Sequence, residues 1–392
     1  MGFFNGRVTF TRYQCSGSPP ALFGPEHIGR LVENAAGRQR LASADGIEVG
    51  WSAGDHILDT RFDLAKNIIN EQLFFALRID TQKLPSDLLK AYYQVDLEAL
   101  IANNPSGRPS LRQKREAKES ARDRLEHEAK DGRFLKRKAI EVIWDRLTNE
   151  VYFGTTSVTN IDRLVTLFKN TFDVSFEAVT SGRRAFQLAE LHQHSRNVDD
   201  AAPAVFVPGL SATDVAWVLD EGSRDFVGNE FVLWLWFYTE TQSDTIKLND
   251  ESEVTIMLAR TLTLECPRGQ TGHETITHEG PTRLPEARRA IQSGKMPRKV
   301  GMTLVRHGAQ YEFTLHAETL GIGSARMPAS EEEEDRARLD DRATKLRDLI
   351  ETLDLLYDAF GQVRFGPEWS KELAKMQKWL RREEKTQASG AA

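Results

Sequence analysis

The chain has 392 residues, 40% of them hydrophobic and 28% charged, enough apolar material for two or three packed domains. Two cysteines, Cys15 and Cys266, exclude a disulfide framework, and no apolar run approaches membrane-spanning length. The opening Met-Gly-Phe-Phe-Asn-Gly lacks a charged and an apolar signal region, so the expectation is a soluble protein of a reducing compartment, the cytoplasm.

The elements follow in chain order. Gly6 to Tyr13 reads as a strand and Pro25 to Ala36 as a short helix with proline in its first turn. Leu73, Phe75, Leu77 and Ile79 alternate with Phe74, Ala76 and Arg78, the period of a strand. Ser86 caps a helix that carries Leu88, Leu89, Tyr92 and Tyr93 on one side, and the run Asn-Asn-Pro-Ser-Gly-Arg-Pro breaks it. From Ser110 to Lys130 the residues favour helix but are almost all charged or small. A segment with so little to bury should project into solvent, as a finger with a basic edge.

The net charge of -6 hides a gradient. Between Arg108 and Lys138 twelve Lys or Arg face six Asp or Glu, a local balance of +6 that leaves -12 on the remainder. Segregation of this kind allows a basic face on an acidic protein, although a solvated helix of mixed charge has the same composition. After the cluster Lys136, Arg137 and Lys138, the residues Ile140, Val142 and Trp144 alternate with Glu141 and Asp145. A polar turn, Asp-Arg-Leu-Thr-Asn-Glu, leads to a returning strand at Val151 to Phe153. Thr159 or Asn160 caps a helix with Ile161, Leu164, Val165 and Phe168 at helical spacing, and Val174, Phe176 and Ala178 make a third strand.

Beyond Val179 come a locally basic segment with His192 and His194 in a polar loop, an Ala/Pro loop near Pro203 to Pro208, and a helix at residues 210–222. Residues 225–240 are the most apolar stretch and should be buried, as a helix. Glu253 to Glu265 reads as one or two strands, residues 282–295 as a short basic helix ending at Gly294, and the next segment as a hairpin turning at His307-Gly308. Leu346, Leu349, Ile350, Leu353, Leu356, Tyr357 and Phe360 form the stripe of a long C-terminal helix, behind a solvated Glu run at 331–334.

The pattern predicts an α+β protein with antiparallel or mixed sheets, packed helices, a projecting charged helical segment and a long C-terminal helix. It divides into a central domain (1–102 and 139–183), a projection (103–138), a second α/β domain with an apolar insertion (184–330), a C-terminal helical region (331–383) and a disordered tail (384–392).

Catalytic motifs are missing. There is no phosphate-binding Gly-rich loop before a Lys-Ser/Thr pair, no nucleophile elbow, and no metal-ligand spacing around the cysteines. In His-Glu-Thr-Ile-Thr-His, His273 and His278 are five apart where a zinc helix needs four, and the β-branched residues between them oppose a helix. Glu141 and Asp145 share one face of a strand and could be a magnesium-binding nuclease pair, but outward-facing acids on an exposed sheet face explain them as well. No metal and no cofactor is expected.

In order, these parts resemble the recombination-associated RdgC family of bacteria. The carrying pieces are Gly50-Trp51, the helix from Lys83, the charged projection, Arg133-Phe134, the strand and helix from Ile140 to Phe172, the segment Glu286 to Leu304, and the terminal helix. They are spread over about two thirds of the chain. The resemblance implies a ring-forming homodimer that encircles duplex DNA without sequence preference, sits in the nucleoid and restrains RecA-driven recombination, with RecA or another recombination protein as a further partner. It places Phe134 at a dimer contact and Lys295, in a Gly-Lys pair, in a positively lined hole. Two departures stand out: Arg283 is the only base in the run 277–283, and residues 200–270 are longer than in the family.

The expectation is therefore a non-enzymatic, sequence-independent binder of double-stranded DNA. Its candidate contacts are Arg112, Lys114, Arg115, Lys118, Arg122, Lys136, Arg137 and Lys138, with Lys295, Arg298 and Lys299 further on. A scaffold that pairs its basic segment with an acidic protein, and a metal-dependent nuclease, are the alternatives.

Overall fold

The computed structural model describes residues 2–38, 46–102, 107–193, 195–207, 209, 222–266 and 272–381. Residues 210–221 of the helix expected at 210–222, His194 and the tail beyond 381 lie outside them. The described strands are β1 (Val8–Cys15), β2 (Ile47–Ser52), β3 (Ile68–Ile69), β4 (Gln72–Gln82), β5 (Leu135–Asp145), β6 (Glu150–Phe153) and β7 (Phe176–Ala178). They continue with β8 (Thr245–Lys247), β9 (Glu253–Glu265), β10 (His273–His278), β11 (Met296–Arg306), β12 (Ala309–His316) and β13 (Gly321–Arg326). All belong to one open sheet of order β10-β9-β11-β12-β13-β1-β6-β5-β4-β2, with β3, β7 and β8 as side pairings. Every ladder between these strands is antiparallel, and the fold is α+β.

One strand joins the two halves of this sheet. Val8 and Phe10 pair with Ala325 and Ile322 of β13, whereas Thr11 to Gln14 pair with Phe153 to Glu150 of β6. The N-terminal strand therefore belongs to both the first and the second α/β unit. Its side chains divide accordingly. Val8 and Phe10 enter the larger core, and Tyr13 and Cys15 the smaller. Burial pushes the Cys15 thiol up to about 12, so it stays protonated at neutral pH.

The smaller core is aromatic: Trp51, Phe75, Trp144, Phe168, Phe172 and Phe176 pack under the helices Pro25–Glu33 and Ile161–Phe172. β4 is buried at nine consecutive positions, because this core covers one face and the N-terminal residues and C-terminal helix cover the other. The expected alternation of buried and exposed residues in β4 is therefore absent.

The larger core is built on the helix Phe226–Thr241, buried all round from Phe226 to Phe237 as its composition predicts. At Gly228 it comes so close to the sheet that a Cβ would stand 1.9 Å from the Ala317 carbonyl oxygen, a contact that only glycine permits. The long helix Asp335–Arg364 and the helix Trp369–Leu380 complete this core. His307 and Gly308 have φ of 51° and 80°, the left-handed pair of a two-residue hairpin turn, as the sequence predicts. Among the described residues no helix is long and apolar enough to cross a membrane.

Arg12 fastens β1 to the rest. Only 2% exposed, it donates twice to Glu150 of β6 and twice to Asp354 of the long helix, all at 2.8 Å. Arg184 adds a bond of 2.6 Å to the same Asp354 oxygen that Arg12 Nη2 reaches. Burial alone pushes the Asp354 carboxyl up, but the two guanidinium groups outweigh it and hold it below the ordinary carboxylate range. Removing one partner of such a network strands the other charges, so Arg12→Met should lower unfolding free energy by about 3–5 kcal/mol in a urea titration. A depressed carboxylate stabilises the fold above its unfolded pKa of about 3.9, and that stability is lost as pH falls through the lower folded value. Across pH 5 to 2, Asp354→Asn should therefore start less stable and lose less than the parent chain. Parallel curves would remove Asp354 from the acid transition.

Candidate nucleic-acid interface

β4 and β5 are neighbours that pair without a break through eleven positions, from Gln72 with Asp145 to Gln82 with Leu135. No tight turn joins them. The chain instead leaves β4, forms the helices Ser86–Ala102 and Leu111–Ala129, and returns into β5, so a helical hairpin stands on a two-stranded stem. The finger thus begins before residue 103, and the helix at 86–102 is its second half.

The charged helix forms for local reasons. Its residues have high helix propensity, and Ser110 and Gln113 close a reciprocal capping box at 3.2 and 2.9 Å. Ala117, Ala121, Leu125 and Ala129, four apart, are its buried stripe. These small side chains let the helix lie close against its neighbour, and they were too small to stand out in a search for large apolar residues. Polar contacts then set the register. Arg124 bonds Asp96 at 2.7 Å and stacks 4.9 Å over the Tyr92 ring, whose hydroxyl donates to Glu128 at 2.8 Å. At the root Gln82 Nε2 donates to the Ala129 carbonyl at 2.9 Å, and Arg133 is held by Asp131 and Glu128. Phe134 is half-buried in the turn between finger and β5.

The candidate cations fall into distinct groups. Arg112, Lys114, Arg115 and Lys118 are exposed, lie in the half of the charged helix farthest from the stem, and make no ion pair among the described residues. Arg122, nearer the root, is exposed but bonded to Glu126 at 2.7 Å. Lys136, Arg137 and Lys138 are exposed on the stem, where Arg137 approaches Asp80 at 3.5 Å. That carboxylate already accepts two bonds from Arg78, at 2.8 and 2.5 Å.

The remaining three stand apart. Lys295 is buried and ion-paired with Glu274 of the edge strand β10, so its charge is spent inside the fold and it is withdrawn from the contact surface. Arg298 lies between Glu265 at 2.9 Å and Glu318 at 2.8 Å and is likewise occupied. Lys299 alone is exposed. Lys295 immediately precedes β11 and the other two lie at its start, five strand positions from β5 and so roughly 24 Å across the sheet. They do not join the finger in one patch.

The acids of the nuclease alternative are also placed differently from expectation. Glu141 and Asp145 face the long C-terminal helix, not open solvent. Asp145 is wholly buried and accepts from Gln72 Nε2 at 2.7 Å, Arg347 Nε at 2.6 Å and the Leu147 amide at 2.9 Å. Glu141 accepts the Phe3 amide at 2.5 Å, and burial raises its carboxyl above the usual range. His273 and His278 lie on a strand, where an odd spacing puts them on opposite faces. His192 ends the helix Ser181–Leu191 with Nε2 3.0 Å from both Asp358 oxygens. Among the described residues no group of three or more His, Cys, Asp or Glu could hold a metal ion.

Charge density was legible in the sequence; which charges are already partnered was not, because their acids come from distant segments. Arg7, exposed beside Lys138, was missed for the same reason: β1 brings it there from the other end of the sequence. No protein-family model matches the chain, and no curated protein matches it.

Proposed function

We propose that this protein binds duplex DNA without regard to base sequence, through the outer half of the helical finger. One observation carries the reading. Four cations, Arg112, Lys114, Arg115 and Lys118, stand exposed and without an ion pair among the described residues, at the end of a helix whose fold does not use them. The helix of 19 residues is roughly 28 Å long and holds them about 17 to 26 Å along its axis from its root. Its N-terminus, the positive end of the helix dipole, points the same way. Contacts of this kind go to phosphates and position the duplex without reading it. The stem cations Lys136 and Lys138 extend the track toward the sheet, and Lys295 and Arg298 take no part.

The ring belongs to the same proposal and rests on the resemblance. The sheet of one chain is open, with β10 and β2 at its ends, so encirclement requires a second copy. Phe134, half-buried at the root of the finger, is its candidate contact. Restraint of recombination is the role such a ring would serve.

In a gel-shift titration without magnesium, unrelated duplexes of equal length should bind with similar affinity. Log K should fall against log salt with a slope of about -3 to -4, near -0.9 for each of four phosphates. A thousandfold spread among sequences would show base readout, and no retention at all would leave the acidic-protein scaffold in its place.

Reversing Lys114, Arg115 and Lys118 to Glu should abolish retention at moderate salt while leaving the thermal transition in place, because the three side chains are exposed. An unchanged salt slope would remove them from the contact list. For the ring, a high-salt challenge should strip the parent chain from a linear duplex but not from a covalently closed circle, and Phe134→Ser should be lost from both. Equal loss of the parent chain from the two would leave an open electrostatic binder.

A further inference from the structure

A second polar feature lies on the sheet face opposite the aromatic core, and the finger does not use it. Ser52 of β2 pairs with Ala76 of β4, Ala76 pairs with Glu141 of β5, and the Gly154 amide donates to the Glu141 carbonyl at 2.8 Å. Residues directly opposite one another in antiparallel strands point to the same face. The row therefore presents a hydroxyl, a methyl, a carboxylate and a glycine side by side. Over it, beneath the N-terminal residues, is a cavity of about 300 Å³.

Two groups of this cavity have unused capacity. Ser52 is 0% exposed, yet its hydroxyl has no hydrogen-bond partner among the described residues. A buried hydroxyl left in that state is unfavourable unless something enters to complete it. Glu141 commits one oxygen, Oε2, to the Phe3 amide, and no hydrogen bond among the described residues reaches the other. A cation, Arg7, also lines the cavity from an exposed position and makes no ion pair among the described residues, whereas Lys138, three positions from Glu141 on β5, points to the opposite face.

The arrangement of charge narrows the ligand. The Arg7 guanidinium attracts a phosphate, while the carboxylate repels one and accepts hydrogen bonds from hydroxyls or an exocyclic amine. A molecule anionic at one end and rich in donors at the other satisfies both, and the volume, at the lower end of the range for ligand sites, suits a single nucleotide. We propose that the cavity binds one nucleotide unit, its phosphate at Arg7 and its sugar or base edge at Ser52 and Glu141. A free mononucleotide and the terminal nucleotide of a strand present the same chemistry. The site goes beyond duplex binding and does not depend on it.

The test is calorimetric titration of the full chain with a deoxynucleoside monophosphate, inorganic phosphate and the deoxynucleoside in parallel. The monophosphate should bind about tenfold or more tighter than either fragment. Ser52→Ala, which removes only a hydroxyl, should weaken it about three- to tenfold, with an unchanged thermal transition. Arg7→Gln should bring the monophosphate close to the nucleoside. A monophosphate no tighter than phosphate, or full affinity in folded Ser52→Ala, overturns the proposal. If Ser52→Ala fails to fold, Arg7→Gln decides: an undiminished preference for the monophosphate over the nucleoside also overturns it. Displacement of the bound mononucleotide by a duplex with a one-nucleotide overhang, but not by a blunt one, assigns the unit to strand ends; failure of both assigns it to free nucleotides. Either result upholds the cavity. The finger variant with Lys114, Arg115 and Lys118 reversed should keep this titration while losing duplex retention, so the two readings fail separately.

Discussion

Arg12 carries the constraint on which the rest of the architecture depends. Among the described residues its strand alone is shared by both halves of the sheet, and its guanidinium is shared between β6 and the long C-terminal helix. A planar fork with five donors can bond two carboxylates twice each, which a lysine with three donors could not do. Buried ion pairs of this kind contribute little net stability against an apolar alternative, but they penalise every arrangement that leaves one member unpartnered. Glu150, Asp354 and Arg184 are satisfied together only if β1, β6 and two helices meet at one point.

The long helix is clipped in the same way along its length. Arg342 donates to the carbonyls of Phe3 and Gly6 at 2.5 Å, Arg347 reaches Asp145 at 2.6 Å, and Arg364 bonds Glu230 at 2.5 Å. Its first half lies over polar backbone and its second half over the larger core. This is the reason that Glu141 and Asp145 are covered. The acids nearest to a catalytic arrangement are used to seat a helix and the N-terminal residues.

In the finger, the side chains that hold the fold are distinct from the proposed DNA contacts. Cations at its root are neutralised within the hairpin: Arg124 by Asp96, Arg133 by Asp131 and Glu128, Arg122 by Glu126. Those in the outer half are left exposed. The hairpin is held by an alanine-rich stripe and a few hydrogen bonds, so its outer charges can vary without disturbing the sheet. The whole chain carries -6, so the proposed duplex contact falls where repulsion by the acidic body is weakest.

How much of this was legible in the sequence follows the range of the interaction. Periodicity determined the strand around Ile140 to Trp144 and the C-terminal stripe, apolar composition the buried helix at Phe226, and the turn residues the hairpin at His307-Gly308, because each depends on residues a few positions apart. Composition alone determined that a basic, solvent-projecting helix lies between Ser110 and Lys130. Only the tertiary structure decided that this helix pairs with the one before it, that Lys295 and Arg298 are spent on Glu274, Glu265 and Glu318, and that Arg7 and Ser52 border one cavity with Glu141. A side chain's charge is written in the sequence. Whether that charge is free depends on which distant carboxylate the sheet brings to within 3 Å of it, and that register is set by the packing of both cores.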